Sequence, residues 1–495
     1  MPSPSPYPRI YASAIDGRAV NTRYKQAQLQ RLQTALLQHI QRVKAAIQTD
    51  TSHDAGEIQA EIVLALTELR KHYFSLSLEQ DLENEYLVAK GKDNPNATRP
   101  AGSGIVYIVP STHTMFFGII SALSAAIVGG CCVILEGLQQ LTKNTMALPP
   151  LLRQILSDAL DADTFAVAEE RPSSSFLEGV LVVAQTDIPS LPQSLQSPVN
   201  AKTVAVVDRT ADLRLAAESL VTARFAIGGR STYAPDIVLV QEFALKAFVE
   251  ALIHHSSKYL AGPDGESREK AVGASNPRRP GPGSSVLDAA YKDPSTRVLV
   301  AGSGWGVVEV HDRQSALLQR KEKIAEKVLI LHPVSSLDDA IDFCAGFEAL
   351  AATYAFADPP SAKYLTQFIE AHISLINHLP VDLLIGPAYP ITTQLPADRS
   401  TRYNAASFLV PHPQFVTESA SSTLLRSVLD KPTSAEAVKV WDDALKPLPP
   451  TGQRSGKRIG FFEQGILTGV GITLFSVIGV VGAVGYYSVW FLRRL

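Results

Sequence analysis

Cysteine is scarce: Cys131, Cys132 and Cys344 are the only three in 495 residues. That excludes a disulfide scaffold and suits a reducing compartment. A basic surplus is lacking too. With 45 Lys and Arg against 48 Asp and Glu, the formal net charge of -3 gives nucleic acid no electrostatic claim on the chain. The opening Met-Pro-Ser-Pro-Ser-Pro-Tyr-Pro has no basic stretch followed by an apolar one, so no secretory-signal pattern is present there. No histidines or cysteines fall at metal-ligand spacing, and no metal is expected. The most consequential absence is of charge itself: residues 465–492 contain no Asp, Glu, Lys or Arg.

That stretch is filled instead by Ile466, Leu467, Val470, Ile472, Leu474, Phe475, Val477, Ile478, Val480, Val481 and Val484. As a helix rising ~1.5 Å per residue it covers roughly 40 Å, enough to cross a ~30 Å hydrocarbon core with tilt. Lys457, Arg458 and Glu463 precede it, Tyr486, Tyr487 and Trp490 suit an interface, and Arg493 and Arg494 close it. A buried helix of a soluble core is the alternative, and such helices seldom run so long without charge. Gly465, Gly469, Ser476, Gly479 and Ala483 would let a second helix approach closely. The expectation is a single-pass C-terminal anchor inserted after synthesis, with the bulk cytosolic and the endoplasmic reticulum as the membrane. The Lys and Arg balance across the span is nearly even and does not set the orientation. The sequon Asn96-Ala97-Thr98 matters only if the bulk lies on the other side.

Leu29, Leu32, Leu36, Ile40, Val43 and Ile47 recur every three or four residues and predict one amphipathic helix of about five turns. Ile58, Ile62, Leu66 and Leu69 predict a second. Beyond Asn94 come short apolar runs at 105–109, 132–135, 180–183, 203–207, 237–240, 298–300 and 328–331, several separated by helix-length stretches. Continuous apolar strands alternating with helices predict an α/β fold with mostly parallel sheet. Residues 262–285, rich in Gly and Pro, read as a surface insertion whose Arg278 and Arg279 are solvated or touch anionic lipid. Residues 433–457, with Pro447, Pro449, Pro450 and Gly452, read as a linker.

The segment Ala234-Pro235-Asp236-Ile237-Val238-Leu239-Val240 resembles the one that follows the nucleophile in class 3 aldehyde dehydrogenases, the branch that includes membrane-anchored fatty aldehyde dehydrogenases. Residues 104–110 resemble the strand before that family's first active-site turn, and 125–135 the helix-turn-strand before its cofactor lysine. Asp208 with Ala211-Asp212-Leu213, and Ser336-Leu337-Asp338-Asp339-Ala340-Ile341, resemble its helix starts. Coverage is roughly residues 20 to 415. The resemblance implies two Rossmann-like parallel-sheet domains and a homodimer paired through a projecting β-hairpin. Its domain plan is an N-terminal helical segment at 1–100, a degenerate NAD-binding-type domain at 101–208 and a catalytic-type domain at 209–415. An oligomerisation tail and linker at 416–464 and the transmembrane helix at 465–492 complete it.

The family's chemistry needs a thiolate, an oxyanion amide, a carboxylate base and a bound nicotinamide. Its Gly-Gln-x-Cys corresponds here to Gly229-Arg230-Ser231-Thr232, placing Thr232 at the nucleophile, where a hydroxyl needs an adjacent base. The general base falls at Pro198, which moves no proton. The oxyanion asparagine becomes Thr112. The ribose-binding Lys-Pro-Ser-Glu reads Glu136-Gly137-Leu138-Gln139, and Glu-x-Phe-Gly-Pro reads Lys323-Ile324-Ala325-Glu326-Lys327. The phosphate-proximal Gly-Ser-Thr-x-x-Gly turn has no counterpart between Arg171 and Gln185.

His113, beside Thr112, is either a base for Thr232 or an idle loop histidine. Arg230 and Tyr233 either bind a carboxylate or carbonyl or fill space. The three cysteines read as small buried hydrophobes, and His254-His255 as a helix end. Three functional readings result. The first is a membrane-anchored pseudoenzyme, a scaffold or partner without cofactor. The second is a non-redox isomerase, cyclase or hydrolase acting on an apolar small molecule, of the kind associated with fungal secondary metabolism. The third is an NAD- or NADP-dependent aldehyde dehydrogenase, which requires displaced motifs and Cys131 or Cys132 as nucleophile.

Overall fold

The computed structural model describes residues 6–51, 53–88, 98–137, 146–189, 191–256, 285–302, 304–391, 401–413, 420–450, 452 and 461–493. The chain divides into two compact units, Met1–Val416 and Thr417–Leu495. The expected insertion at 262–285 lies outside the described residues except for Ser285, and Gln139 and Asn96 lie outside them too.

The first unit holds fourteen strands among its described residues: β1 (Thr98–Gly102), β2 (Ile105–Val109), β3 (Cys132–Glu136), β4 (Phe165–Ala168), β5 (Leu181–Ala184), β6 (Ser194–Gln196), β7 (Thr203–Val207), β8 (Ile237–Gln241), β9 (Thr296–Gly302), β10 (Trp305–Val310), β11 (Lys327–Val334), β12 (Ala352–Phe356), β13 (Ser374–Ile376) and β14 (Leu409–Pro413). One sheet runs β4-β3-β2-β5-β6 and is parallel throughout. A larger sheet runs β13-β12-β7-β8-β11-β10-β9 and is parallel except for the edge pair β9-β10. β1 and β14 form a separate antiparallel ribbon. Every residue of β2, β3, β7 and β8 is buried, as continuous Val, Ile and Leu require in a sheet covered on both faces.

The predicted strands appear within a few residues of their expected bounds, but four features differ. The long first helix is two, Thr22–Gln38 and Ile40–Asp50, because His39 leaves helical geometry at φ -105° and ψ 12°. β7 pairs with β8 and β12, so the change of sheet falls before Thr203 rather than after Asp208. Within the expected linker, Ala435–Ala444 is helical, started by the Ser434 side chain accepting from the Ala437 amide. The apolar C-terminal helix spans Phe461–Leu492, beginning four residues before the uncharged run.

In the first sheet's core, the helix Met115–Val128 is buried along its whole length and packs against Ala55–Phe74. In the larger sheet, Asp236 joins two loops at the start of β8. It is fully buried and accepts from the Thr203 amide (2.9 Å), the Ile324 amide (2.9 Å) and Lys323 Nζ (2.6 Å), with Arg224 Nη1 at 4.0 Å. Burial alone would raise this carboxyl; Lys323, Arg224 and Lys202 outweigh it and hold the group below its usual value.

Asp236→Ala leaves two cations without their counter-charge and is expected to cost about 3–5 kcal/mol, measured by denaturant unfolding. Because the folded pKa is depressed, this contribution is complete above the unfolded value of about 3.9 and is lost as pH falls below it. Acid melting of Asp236→Asn should therefore lack that limb.

Candidate functional site

The loop from Ala226 to Asp236 carries the residues aligned with the family's nucleophile. The helix Leu213–Phe225 ends in three left-handed residues, Ile227 (φ 50°), Gly228 (φ 68°) and Gly229 (φ 68°). Such a conformation strains a β-branched side chain. It is held by the Ile227 amide donating to Glu57 Oε1 at 2.7 Å. A Cβ at Gly229 would stand 2.7 Å from the Glu326 carbonyl oxygen and 2.8 Å from that of Arg224, so the turn requires glycine here. Beyond it Thr232 is buried, 8% exposed, and Thr203 Oγ1 donates to its carbonyl at 2.7 Å. Among the described residues no hydrogen bond is made by the Thr232 hydroxyl. Tyr233 is structural: its hydroxyl accepts from the Tyr389 amide (2.8 Å) and its carbonyl from the Tyr354 hydroxyl (2.8 Å).

Thr112 and His113 follow β2 and face this loop. Arg230 Nη2 donates to Thr112 Oγ1 at 3.3 Å, so the loop after β2 and the loop 226–236 meet. His113 Nε2 lies 3.0 Å from the Leu384 carbonyl oxygen, which can only accept. The proton is therefore on Nε2 and the lone pair on Nδ1. Burial drives this imidazole down to about 3, and the nearby Arg230 and His53 act in the same direction. It is neutral at physiological pH and a weak base. Pro198 lies just after β6, half-buried, its carbonyl accepting from Ala201 at 3.3 Å.

Of the expected cofactor positions, Glu136 and Lys323 are engaged within the protein. Glu136, at the carboxyl end of β3, takes two hydrogen bonds from Arg171, Nε to Oε2 at 2.9 Å and Nη2 to Oε1 at 2.8 Å. Tyr107 donates a third at 2.9 Å. Burial, then Glu136, push the Tyr107 phenol well above its usual value. Lys323 is spent on Asp236 and burial lowers it to about 8; Ala325 is exposed with no polar side chain. β5 passes to β6 through residues 185–193, whose described positions form no helix. Parallel strands are usually joined by a crossover of a dozen or more residues, most often a helix, and a dinucleotide pyrophosphate sits on such a helix N-terminus. Cys131, Cys132 and Cys344 are all buried, and burial raises each thiol, the latter two to about 12. None is a thiolate at neutral pH. Among the described residues no cluster of His, Cys, Asp and Glu could hold a metal.

Several polar residues that shape the site had no motif to announce them. Glu57, Glu61, Glu68 and His72 lie at spacings of four, seven and four, on the face of Ala55–Phe74 that also carries Ile58, Ile62, Ala65 and Leu69. Acids inside an apolar stripe are the signal that could have found them. Glu61 Oε1 accepts from the Phe117 amide at 3.2 Å, and burial raises its carboxyl to about 7. Glu68 accepts from Ser121 Oγ and from the Arg402 amide (2.8 Å). Arg402 is buried, donates to the Ile385 carbonyl at 2.9 Å, and lies 4.5 Å from the Tyr389 ring centre. His72 bridges Ser124 Oγ (2.8 Å) and the Tyr403 carbonyl (3.0 Å), with burial lowering it to about 4.

No protein-family model matches the chain, and no curated protein matches it in sequence. Among solved structures it is similar to Staphylococcus aureus AldH in its substrate-bound state, with TM-score 0.61 and 15% identity over 85% of this chain and 98% of that one. It is similar to a NAD-dependent benzaldehyde dehydrogenase from Corynebacterium glutamicum, with TM-score 0.57 and 13% identity over 83% and 87%. It is also similar to glyceraldehyde-3-phosphate dehydrogenase GapN from Methanocaldococcus jannaschii complexed with NADP, with TM-score 0.55 and 13% identity over 75% and 84%. The chain therefore has the aldehyde dehydrogenase-like fold.

Buried neutral histidines set an acid limit to that fold. His72 and His113 have folded values below the unfolded 6.5, so the stability they contribute is full above pH 6.5 and is lost as pH falls toward 4 and 3. Glu61 runs the other way between 7 and 4.5. A pH series of melting temperatures should fall below 6.5, and His72→Gln should flatten it by about 3 kcal/mol.

Proposed function

We propose that this protein is a membrane-anchored member of the aldehyde dehydrogenase-like fold that has given up NAD(P)-dependent aldehyde oxidation and serves as a scaffold or binding partner at a membrane surface. The observation that carries this reading is the β5 to β6 connection, whose described residues offer no helix N-terminus to a pyrophosphate. Glu136 supports it, since its carboxylate is buried and already accepts three hydrogen bonds from Arg171 and Tyr107. The residues at this face do not fit a dinucleotide. Thr232 supports it from the other side: among the described residues its hydroxyl hydrogen-bonds to no base, and an unactivated hydroxyl is a poor nucleophile.

Attachment rests on the helix Phe461–Leu492, whose stretch Glu463–Tyr487 contains an 18-residue window of mean hydropathy 2.2 with no burial. A single-pass anchor with the folded units cytosolic, in the endoplasmic reticulum, fits that helix and the reducing-compartment cysteines. Pairing into a homodimer is supported by the β1-β14 ribbon, which pairs with no further strand among the described residues. The second reading, non-redox chemistry on an apolar substrate, is favoured by one observation, the Arg230 to Thr112 contact beside a neutral His113.

Full-length protein in detergent, given NAD or NADP with medium- and long-chain aldehydes, is expected to form no reduced nicotinamide above the blank. Turnover that disappears in Thr232→Ala would contradict the proposal. For the second reading, a deletion strain that accumulates a metabolite should be rescued by wild type and not by His113→Ala.

A further inference from the structure

Ahead of its long apolar helix, the unit Thr417–Leu495 carries two short amphipathic helices packed on one another, Ala420–Asp430 and Ala435–Ala444. Ala437 is 1% exposed, and Val428 and Val440 are half-buried. The large apolar side chains are left outside: Leu425 58%, Leu429 81%, Val438 45%, Trp441 63%, Leu445 64% and Leu448 92% exposed. Leu425 and Leu429 are four apart, and Val438, Trp441 and Leu445 are three and four apart, so each set occupies one helix face. Apolar faces of this kind in water mark an interaction surface.

The occupant follows from what the chain places beside it. About 15 residues separate Leu445 from Phe461, where the apolar helix begins, so even fully extended they hold the pair within about 50 Å of that helix. Tryptophan suits a boundary between headgroups and acyl chains. From Lys431 to Arg458 there are six Lys and Arg against three Asp and Glu, a bias that favours anionic headgroups. We propose that the pair of helices at 420–445 lies in the interface of the bilayer that the anchor spans, with Leu425, Leu429, Val438, Trp441 and Leu445 turned to the acyl chains. It rests on the anchorage proposed above. The arrangement adds a second membrane contact to the span and fixes the linker against the surface.

Tryptophan quenching separates the two claims. The full-length chain is reconstituted into phosphatidylcholine–phosphatidylserine vesicles with or without phosphatidylcholine brominated on its acyl chains. Trp490→Phe then reports Trp441, and Trp441→Phe reports Trp490, over a constant background from Trp305, which is 6% exposed. The expected result is loss of emission to brominated lipid in both single variants and none in the double variant. Quenching of Trp490 without Trp441 would overturn the interfacial helices and keep the anchor. Quenching of neither would overturn the anchor and the inference with it.

Discussion

A single buried carboxylate organises the larger half of the fold. Asp236 receives the Thr203 amide at the start of β7, the Ile324 amide and the Lys323 ammonium, with the Arg224 guanidinium alongside. Arg224 in turn donates to the carbonyls of Ile324 and Glu326. Two edges of one loop system are thereby tied to the first turn of β8, and the left-handed residues 227–229 are pinned between Glu57 and Glu326. The loop bearing Arg230, Ser231 and Thr232 is held as well by the Thr203 hydroxyl on the Thr232 carbonyl and the Tyr354 hydroxyl on that of Tyr233. Lys323 meets the carboxylate directly, while Arg224 stands 4.0 Å from it and donates to backbone carbonyls instead.

The same frame explains why the architecture does not depend on the polar residues at its loop ends. Strand packing rests on apolar side chains in β2, β3, β7 and β8. Polar side chains beside the strands pair with one another: Glu136 with Arg171, and Lys323 with Asp236. Each pairing satisfies a buried group inside the protein.

Much of this was legible in the sequence because burial on two faces leaves a plain trace. Runs such as 203–207 and 237–240 read as strands and are strands. Phe165–Ala168, only four residues long and flanked by acids, left too faint a trace. The break at His39 was hidden because Leu36, Ile40 and Val43 keep their helical spacing across it. At the site, Thr232, Thr112 and Arg230 were found and two of them touch. Glu136 could be seen to be a glutamate, but not that Arg171, 35 residues away, would hold it, since side-chain pairing at that distance depends on the sheet order. Glu61, Glu68, His72 and Arg402 were missed because each looks like an ordinary surface residue until its helix face is counted.

The central proposal is that the chain binds no dinucleotide, and dinucleotide binding tests it most directly. Thermal unfolding of the full-length chain is measured with NAD and NADP raised into the millimolar range. A ligand present at 100 times its Kd would add about 2.7 kcal/mol to the folded state and shift the transition visibly. The account predicts an unchanged transition at every concentration, and a saturable rise with either dinucleotide would contradict it.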